Sequence, residues 1–197
     1  MNLKNKCFCG ANKSFSSCCQ PFIVHTANND NIAQPFPQTP EKLMRSRFSA
    51  YATGNSQYIY DTYAKSSQIS QSVVEIDDWG KTCLWIALKI HSINSDEANK
   101  NESAEQFVEF SAFYIADDSL CELRENSRFV LEELDHPNQK SITEVKNKSF
   151  QWRYLDGDII EHRELHKIKR KDICPCNKFS TAWALKKGKK YKQCCGK

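Results

Sequence analysis

The spacing of apolar residues after position 39 predicts an α-helix. Met44, Phe48 and Tyr51 recur at i, i+4 and i+7, so their side chains share one face of a helix. Thr39 has the side chain of an N-cap, and the proline after it suits the first helical position. Gly54 adopts left-handed backbone angles easily and is the expected stop. The pattern therefore predicts one amphipathic helix that begins at Thr39 and stops at Gly54.

A second short helix is expected near Ser56–Ala64, and beyond it the apolar period changes to two. Alternation of this kind predicts β-strands, and along the first strand it places Trp85 on the face opposite to Leu88. Asp156–Gly157 is a turn signal, which we expect to close the last strand. The four predicted strands are Cys83–Ile93, Gln106–Ile115, a segment around SRFVLEEL within Ser119–Glu132, and Phe150–Leu155.

The order of these elements defines the expected fold class and domain organisation. Two helices followed by a run of antiparallel strands give an α+β domain of ordinary size, expected at residues 39–165. Residues 23–38 are rich in Asn and Pro and have no apolar period, so they are predicted to be a linker. The remaining segments, 1–22 and 166–197, are too short to build hydrophobic cores of their own.

Eight of the ten cysteines lie in these two terminal segments. The first four form a C-x-C-x8-C-C pattern, and a glycine follows the first pair, where the backbone must turn. Four thiolates surround Zn²⁺ at about 2.3 Å in closed structural sites. Disulfide bonds and a redox pair are the alternatives, and redox pairs more often have the spacing C-x-x-C. The predicted ligands of the first zinc ion are Cys7, Cys9, Cys18 and Cys19.

The second set of cysteines has the spacing C-x-C-x17-C-C. Loop-closure entropy grows slowly with length, so this longer loop is compatible with a second structural zinc ion. The sequence FSTAWALKKG inside the loop predicts a short helix that ends at Gly188. The predicted ligands of the second ion are Cys174, Cys176, Cys194 and Cys195.

Composition and hydropathy indicate the compartment. No apolar run approaches the ~20 residues of a membrane span, and MNLKNKCFCG lacks the apolar core of a signal peptide. We therefore expect a cytoplasmic protein, in a reducing compartment where cysteine clusters are more often metal sites than disulfides.

Charge is distributed unevenly along the chain. Leu165–Lys197 carries eleven Lys and Arg against one acidic residue, which leaves 17 basic and 23 acidic side chains elsewhere. A tail of +10 favours an anionic partner, namely RNA, lipid headgroups or an acidic protein face, with simple solubility as the alternative. The predicted partner-binding residues are Lys186, Lys187, Lys189, Lys190, Lys192 and Trp183.

Aromatic residues are interleaved with these lysines. Phe179, Trp183 and Tyr191 have the chemistry to stack on bases or to lie at a membrane surface. The alternative is that they pack around the metal or onto the body of the protein.

Both cysteine segments also resemble known motifs. CPCN…GKKYKQCCGK is similar to the zinc-binding SEC-C motif, which is also found on the bacterial preprotein-translocation ATPase, although Asn177 replaces the usual Gly and an insertion follows. CFCGANKSFSSCCQPF resembles the N-terminal motif of the YchJ family. TPEKLMRSRFSAYATGN, FVEFSAFY, RENSRF and WRYLDG resemble middle segments of that family in the same order.

The resemblance covers nearly the whole chain and implies a fold. It implies a middle domain like nuclear transport factor two (NTF2), a curved sheet wrapped by helices into a cone, between two zinc modules. It implies no established activity, and in the translocation ATPase the SEC-C tail is linked to binding an export chaperone and phospholipid.

A cone can house an active site, so carboxylates on the predicted strands are catalytic candidates. Glu109 or Glu125 would serve as a general base if an apolar environment raised its pKa, and the commoner alternative is an ion pair with an arginine. The chain contains no nucleophile–histidine–acid grouping, Gly-rich phosphate loop or H-E-x-x-H helix. The other candidate pocket residues are Arg45, Arg47, Arg128, Trp85 and Trp152.

The leading hypothesis is a non-enzymatic, cytosolic, zinc-binding interaction or adaptor protein whose basic C-terminal module contacts an anionic partner. The alternative is an enzyme with its active site inside the cone. Nucleic-acid binding through the tail is a third hypothesis.

Overall fold

The protein is described by a computed structural model over residues 6–24, 35–95, 105–133, 150–179 and 188–197. In these parts of the chain, five α-helices precede a four-stranded antiparallel sheet whose strands are ordered β1-β2-β3-β4. The helices are α1 (Gln20–Ile23), α2 (Pro40–Thr53), α3 (Ser56–Asp61), α4 (Lys65–Gln68) and α5 (Val73–Thr82). The strands are β1 (Leu84–Ser95), β2 (Glu105–Ala116), β3 (Ser119–Glu133) and β4 (Phe150–Lys167). This architecture confirms the predicted α+β class.

Helix α2 has the caps that the sequence predicts. Thr39 Oγ1 accepts a hydrogen bond from the Lys42 backbone N–H at 3.2 Å, and Pro40 occupies the first turn. Gly54 has φ +71° and its N–H bonds back to the last turn, which ends the helix. Phe48 is fully buried beneath the helix against the sheet, as the apolar stripe requires.

The last strand is longer than predicted. The expected turn at Asp156–Gly157 is wrong, because β4 continues through both residues to Lys167. Asp156 lies opposite Arg128 on β3 and accepts two hydrogen bonds from its guanidinium, at 2.9 and 2.6 Å. A Cβ atom on Gly157 would overlap the Glu125 carboxyl group. These two residues have the composition of a turn, but they serve a cross-strand ion pair and a close approach.

A β-bulge breaks the predicted alternation along β1. The pairing of β1 with β2 shifts between Trp85 and Ala87, so an extra residue is inserted into β1. Trp85 and Leu88 therefore both belong to the core under α2, whereas Ile86 and Ala87 pack on the other side of the sheet. The expectation that Trp85 lies opposite to Leu88 is wrong for this reason.

The sequence pattern did not predict α4 or α5. The second of these helices has a sequence signal nonetheless, since Ser72 and Glu75 form the S-x-x-E arrangement of a capping box. Ser72 is the N-cap and its Oγ accepts from the Glu75 N–H at 3.5 Å. Ile76 is buried against the helical side of the molecule and holds α5 in place.

Three clusters of buried side chains occupy three sides of the domain. The main cluster lies between α2 and the inner face of the sheet, the second between the outer face and the C-terminal cysteines, and the third between the N-terminal cysteines and the helices. The strands carry apolar residues on both faces because α2 packs on the inner face and the C-terminal cysteine segment packs on the outer face. Among the described residues, no helix has the length and apolar character of a membrane span.

Candidate metal centres and central cavity

The N-terminal cysteines converge on one point. Their four sulfurs all lie within 4.8 Å of one another. Cys18 Sγ is 3.7 Å from Cys9 Sγ and 3.8 Å from Cys19 Sγ. A tetrahedral ion with metal–sulfur bonds of about 2.3 Å sets its sulfurs about 3.8 Å apart, whereas a disulfide needs about 2.05 Å. The four residues therefore fit a closed metal site.

Backbone hydrogen bonds within the segment bring the two N-terminal cysteine pairs together. Cys7 N–H donates to Lys13 O at 2.9 Å, so the segment folds back on itself between the first and second cysteine pairs. Gly10, in the turn between them, has φ +79°, a conformation that L side chains rarely adopt. A 3-10 turn at Phe15–Ser17 then carries the chain to the second cysteine pair.

Helix α2 supports the N-terminal centre directly. Ser49 Oγ lies 3.7 Å from Cys7 Sγ. Arg45 donates from Nη1 to the Cys9 carbonyl at 2.9 Å and from Nε to Glu41 at 2.8 Å. Arg45 was a candidate pocket residue, and the structure instead places it between the helix and the first cysteine pair.

The C-terminal cysteines form a second site of the same kind. Their sulfurs also lie within 4.8 Å of one another, and Cys176 Sγ is 3.4 Å from Cys174 Sγ and 3.5 Å from Cys194 Sγ. Cys195 Sγ is 3.8 Å from Cys194 Sγ. None of these eight cysteines forms a disulfide bond in the described chain. Both predicted tetrads are thus brought together, and each can hold a metal ion.

Electrostatics within the N-terminal tetrad favour a bound cation. Burial and the nearby charges of Cys9 and Cys7 raise the pKa of Cys18 to about 12. Hydrogen bonds from Cys19 and Cys9 lower the pKa of Cys7 to about 2, so the cluster stabilises one negative charge and disfavours more. A divalent ion at the centre removes this mutual repulsion.

Asn177 closes the base of the long C-terminal loop. Its side-chain amide donates to Cys174 O at 2.8 Å, and its Oδ1 accepts from the Gly188 N–H at 2.8 Å. The residue that replaces the usual glycine of the motif thus joins both ends of the insertion. The helix predicted inside the insertion lies at residues 180–187, outside the described residues, as do the predicted partner-binding residues Trp183, Lys186 and Lys187.

The described aromatic residues of the tail pack onto the body. Phe179 lies against Phe113 on the outer face of β2, with ring centroids 4.8 Å apart. Tyr191 is buried, and its hydroxyl donates to Asp118 in the β2–β3 turn at 2.8 Å. Of the two expectations for the tail aromatics, the packing alternative holds for these two residues.

The basic side chains of the tail remain exposed. Lys189, Lys190 and Lys192, which the sequence assigned to partner binding, are all exposed beside the second cysteine pair. The other exposed cations in the described part of residues 166–197 are Lys167, Lys169, Arg170, Lys171, Lys178 and Lys197.

A cavity of about 360 Å³ lies inside the cone, between α2, α5 and the inner face of the sheet. Two of the candidate pocket residues, Arg47 and Trp85, line it. Arg128 and Trp152 are absent from its lining, because Arg128 bonds to Asp156 and Trp152 packs at the edge of the main core. The aromatic lining residues are Phe48, Tyr51, Tyr63, Trp79, Trp85, Phe110 and Tyr154.

The two candidate bases lie on opposite faces of the sheet. Glu125 lines the cavity and accepts hydrogen bonds from Ser127 Oγ at 2.6 Å and from the Tyr154 hydroxyl at 2.9 Å. Glu109 is on the outer face, where Arg124 Nε donates to it at 2.7 Å. This ion pair lowers the pKa of Glu109. Glu109 is therefore unavailable to the cavity, and the expectation of an arginine partner describes its position correctly.

Several lining residues were not singled out as site residues from the sequence. Tyr51 was assigned to the apolar stripe of the first predicted helix, and Tyr63 fell within the second. Glu75 lies on the helix that the pattern did not predict. The capping box at the start of α5 was the available signal. The described lining contains no histidine or cysteine, so Glu125 has no catalytic partner of those types there.

The fold and sites define an α+β domain with an internal cavity, flanked by two four-cysteine centres. The family model for the YchJ middle NTF2-like domain matches residues 39–157. A UPF0225 protein of Serratia proteamaculans is 31% identical over 194 residues, covering 97% of each chain. A UPF0225 protein of Vibrio cholerae is 34% identical over 190 residues, covering 96% of this chain and 99% of the relative. The chain belongs to this UPF0225 family, which confirms the expected YchJ-like assignment.

Two solved structures are similar to this chain. A crystal structure of a SEC-C motif protein from Psychrobacter arcticus has a TM-score of 0.59 at 25% identity, over 96% of this chain and 94% of that one. A solution structure of a SEC-C motif protein from Rhodopseudomonas palustris has a TM-score of 0.57 at 20% identity, over 79% and 98% respectively, and shows the shared fold alone.

Proposed function

We propose that the protein is a zinc-stabilised interaction protein, with one structural Zn²⁺ in each cysteine tetrad. The single observation that carries this is the convergence of eight thiols into two clusters with sulfur spacings of a tetrahedral site. All-thiolate, closed tetrahedral sites favour zinc over hard cations such as Mg²⁺ or Ca²⁺. The tetrads lie between terminal segments and the domain, so their role is to fasten those segments.

Elemental analysis of purified protein tests the metal. We expect two zinc ions per chain, one in Cys9→Ser, one in Cys176→Ser, and two in the control Cys83→Ser, whose cysteine lies outside both tetrads. Protein purified without zinc, or with a stoichiometry that neither tetrad variant changes, would contradict the proposal.

The exposed cations of the C-terminal module support an acidic protein face as its partner. Phe179 and Tyr191 pack against the body, so in the described residues the module offers point charges rather than aromatic platforms for bases. Lysine clusters of this kind bind through long-range attraction that salt weakens.

Binding to poly-glutamate, poly-uridine RNA and phosphatidylserine vesicles separates the three anionic partners. The triple variant Lys189→Glu, Lys190→Glu, Lys192→Glu is expected to weaken poly-glutamate binding at least tenfold, while Lys42→Glu on α2 leaves it unchanged. Tighter binding to RNA or vesicles than to poly-glutamate at equal salt would sink the choice of an acidic protein partner.

A further inference from the structure

The central cavity has an unbalanced set of charges. Glu75 and Glu125 line it, and the one cation in its described lining is Arg47. The described lining therefore has a formal net charge of −1. Glu75 is exposed to solvent, so Glu125 is the carboxylate set within the largely apolar wall. A charge in such surroundings is attracted to an opposite charge more strongly than it would be in water.

The guanidinium of Arg47 is already engaged by the protein. Its Nη1 donates to Ile59 O at 2.8 Å and to Thr62 Oγ1 at 2.7 Å. Its central carbon lies 4.4 Å from the centroid of the Tyr63 ring and 4.5 Å from that of Tyr154. Arg47 is 4% exposed, so it acts as a tie between α2, α3 and β4 rather than as a receptor for an anion.

The carboxyl group of Glu125 is held in place but lacks a counter-ion. Ser127 and Tyr154 each donate a hydrogen bond to the same oxygen, Oε1. Gly157 on the neighbouring strand leaves the space that the carboxyl group occupies. Within the described part of the chain, no Lys, Arg or His lies within ion-pair distance of Glu125. Two hydroxyl donors thus orient a negative charge towards the cavity without neutralising it.

Aromatic rings stand around the cavity in a connected group. Tyr51 stacks on Trp85 at a centroid distance of 5.0 Å, and Trp79 meets both rings edge-on, at 5.3 and 5.1 Å. Trp79 is 40% exposed, which places it at the entrance. The faces of Trp and Tyr rings attract cations within about 6 Å of their centroids.

We propose that this cavity binds a small organic cation, an ammonium group carried on an apolar or aromatic body. Glu125 provides the opposite charge, the rings provide cation–π and apolar contacts, and the volume of about 360 Å³ limits the ligand to a small molecule. This site is separate from both cysteine tetrads and needs no contact with the basic tail.

Three probes of matched shape test the proposal on full-length, metal-loaded protein: benzylammonium, benzyl alcohol and benzoate. Calorimetric titration and tryptophan fluorescence report binding, because Trp79 and Trp85 line the cavity. We expect benzylammonium to bind at least tenfold more tightly than benzyl alcohol, and benzoate not to bind. Equal binding of the alcohol, tighter binding of benzoate, or no binding of benzylammonium at millimolar concentration overturns the proposal.

The variant Glu125→Gln removes the charge and keeps the side-chain size. It is expected to lower benzylammonium affinity at least tenfold and to leave benzyl alcohol affinity unchanged. Glu109→Gln is the matched control, because it removes a carboxylate from the opposite face of the same sheet and should alter neither affinity. Full affinity in Glu125→Gln contradicts the assignment.

A second variant covers the case in which Glu125→Gln does not fold. Gly157→Ala keeps every charge but introduces a methyl group where the carboxyl group lies, so Glu125 must move. We expect a loss of benzylammonium affinity of at least fivefold with zinc content unchanged. Unchanged affinity in this variant counts against Glu125 as the receptor, whatever the result for the metal sites.

Discussion

A polar network on the outer face of the sheet illustrates how single residues are held. Glu122 is 8% exposed and accepts hydrogen bonds from Ser111 Oγ at 2.7 Å and Arg163 Nη2 at 2.9 Å. His91 Nε2 lies 2.8 Å from the same Ser111 hydroxyl. Burial raises the pKa of Glu122, but the two hydrogen bonds and the nearby charge of Arg163 outweigh it and hold the pKa below its usual range.

The lowered pKa predicts a pH-dependent contribution to stability. A depressed folded-state pKa stabilises the fold above the unfolded value of about 4.3, and that stabilisation is lost as the pH falls through the folded value. We expect Glu122→Gln to lower the free energy of unfolding by about 1–3 kcal/mol at neutral pH. The gap to the wild type should narrow as the pH falls below about 4. Urea denaturation of both proteins at each pH measures the difference in their free energies of unfolding. A difference that does not change with pH would argue against a lowered pKa of Glu122.

At the level of elements, glycine has opposite roles in α2 and α5. Gly54 ends α2 with φ +71° and has open space where a Cβ would stand. Gly80 lies inside α5, where a Cβ would make an ordinary 3.5 Å contact with Tyr51. The same added methyl group is therefore strained at one position and accommodated at the other.

Alanine at the two glycines should shift stability in opposite directions. Gly54→Ala is expected to cost about 1–2 kcal/mol because of its left-handed backbone, whereas Gly80→Ala should stabilise by about 0.5–1 kcal/mol through helix propensity. Chemical denaturation of the two variants beside the wild type measures both. Each variant is the control for the other, and a shared sign would refute the backbone argument.

Local signals made some elements predictable and others not. Thr39 and Gly54 cap α2 through neighbours in sequence, so its bounds followed from the chain alone. The bulge after Trp85 and the continuation of β4 through Gly157 depend on what lies on the adjacent strand. The cysteine tetrads could be predicted because only a few residue types bind such ions. The lining of the cavity could not be predicted from the sequence, because the pattern did not predict α5 and did not show on which face of the sheet Glu125 lies.

On the scale of the whole molecule, the C-terminal module covers the outer face of the sheet. Ile115 and Leu120 belong to one buried cluster with Cys174, Cys176 and Cys194. A segment with almost no core of its own therefore shields apolar strand residues, and under the proposed function its shape depends on a metal ion held by its cysteines.

Loss of the C-terminal metal should uncover those strands. We expect Cys176→Ser to bind more of a hydrophobic dye such as anilinonaphthalene sulfonate and to self-associate in size-exclusion chromatography. The control Cys83→Ser keeps both tetrads and should behave as the wild type does. A Cys176→Ser protein that elutes at the wild-type volume and binds no more dye than the wild type would show that the cover does not need a metal ion.

Helix α2 contacts both the N-terminal cysteine tetrad and the central cavity. Ser49 lies against the Cys7 sulfur and Arg45 donates to the Cys9 carbonyl, while Arg47 and Phe48, on another side of the same helix, form part of the cavity wall. Oxidation of the N-terminal cysteines, or removal of a metal ion from them by a chelator, would destabilise that wall. A ligand bound in the cavity would in turn stabilise the cysteine cluster. Coupling between two binding sites is reciprocal. The state of the N-terminal cysteines and the occupancy of the cavity would therefore affect each other through the fourteen-residue helix α2.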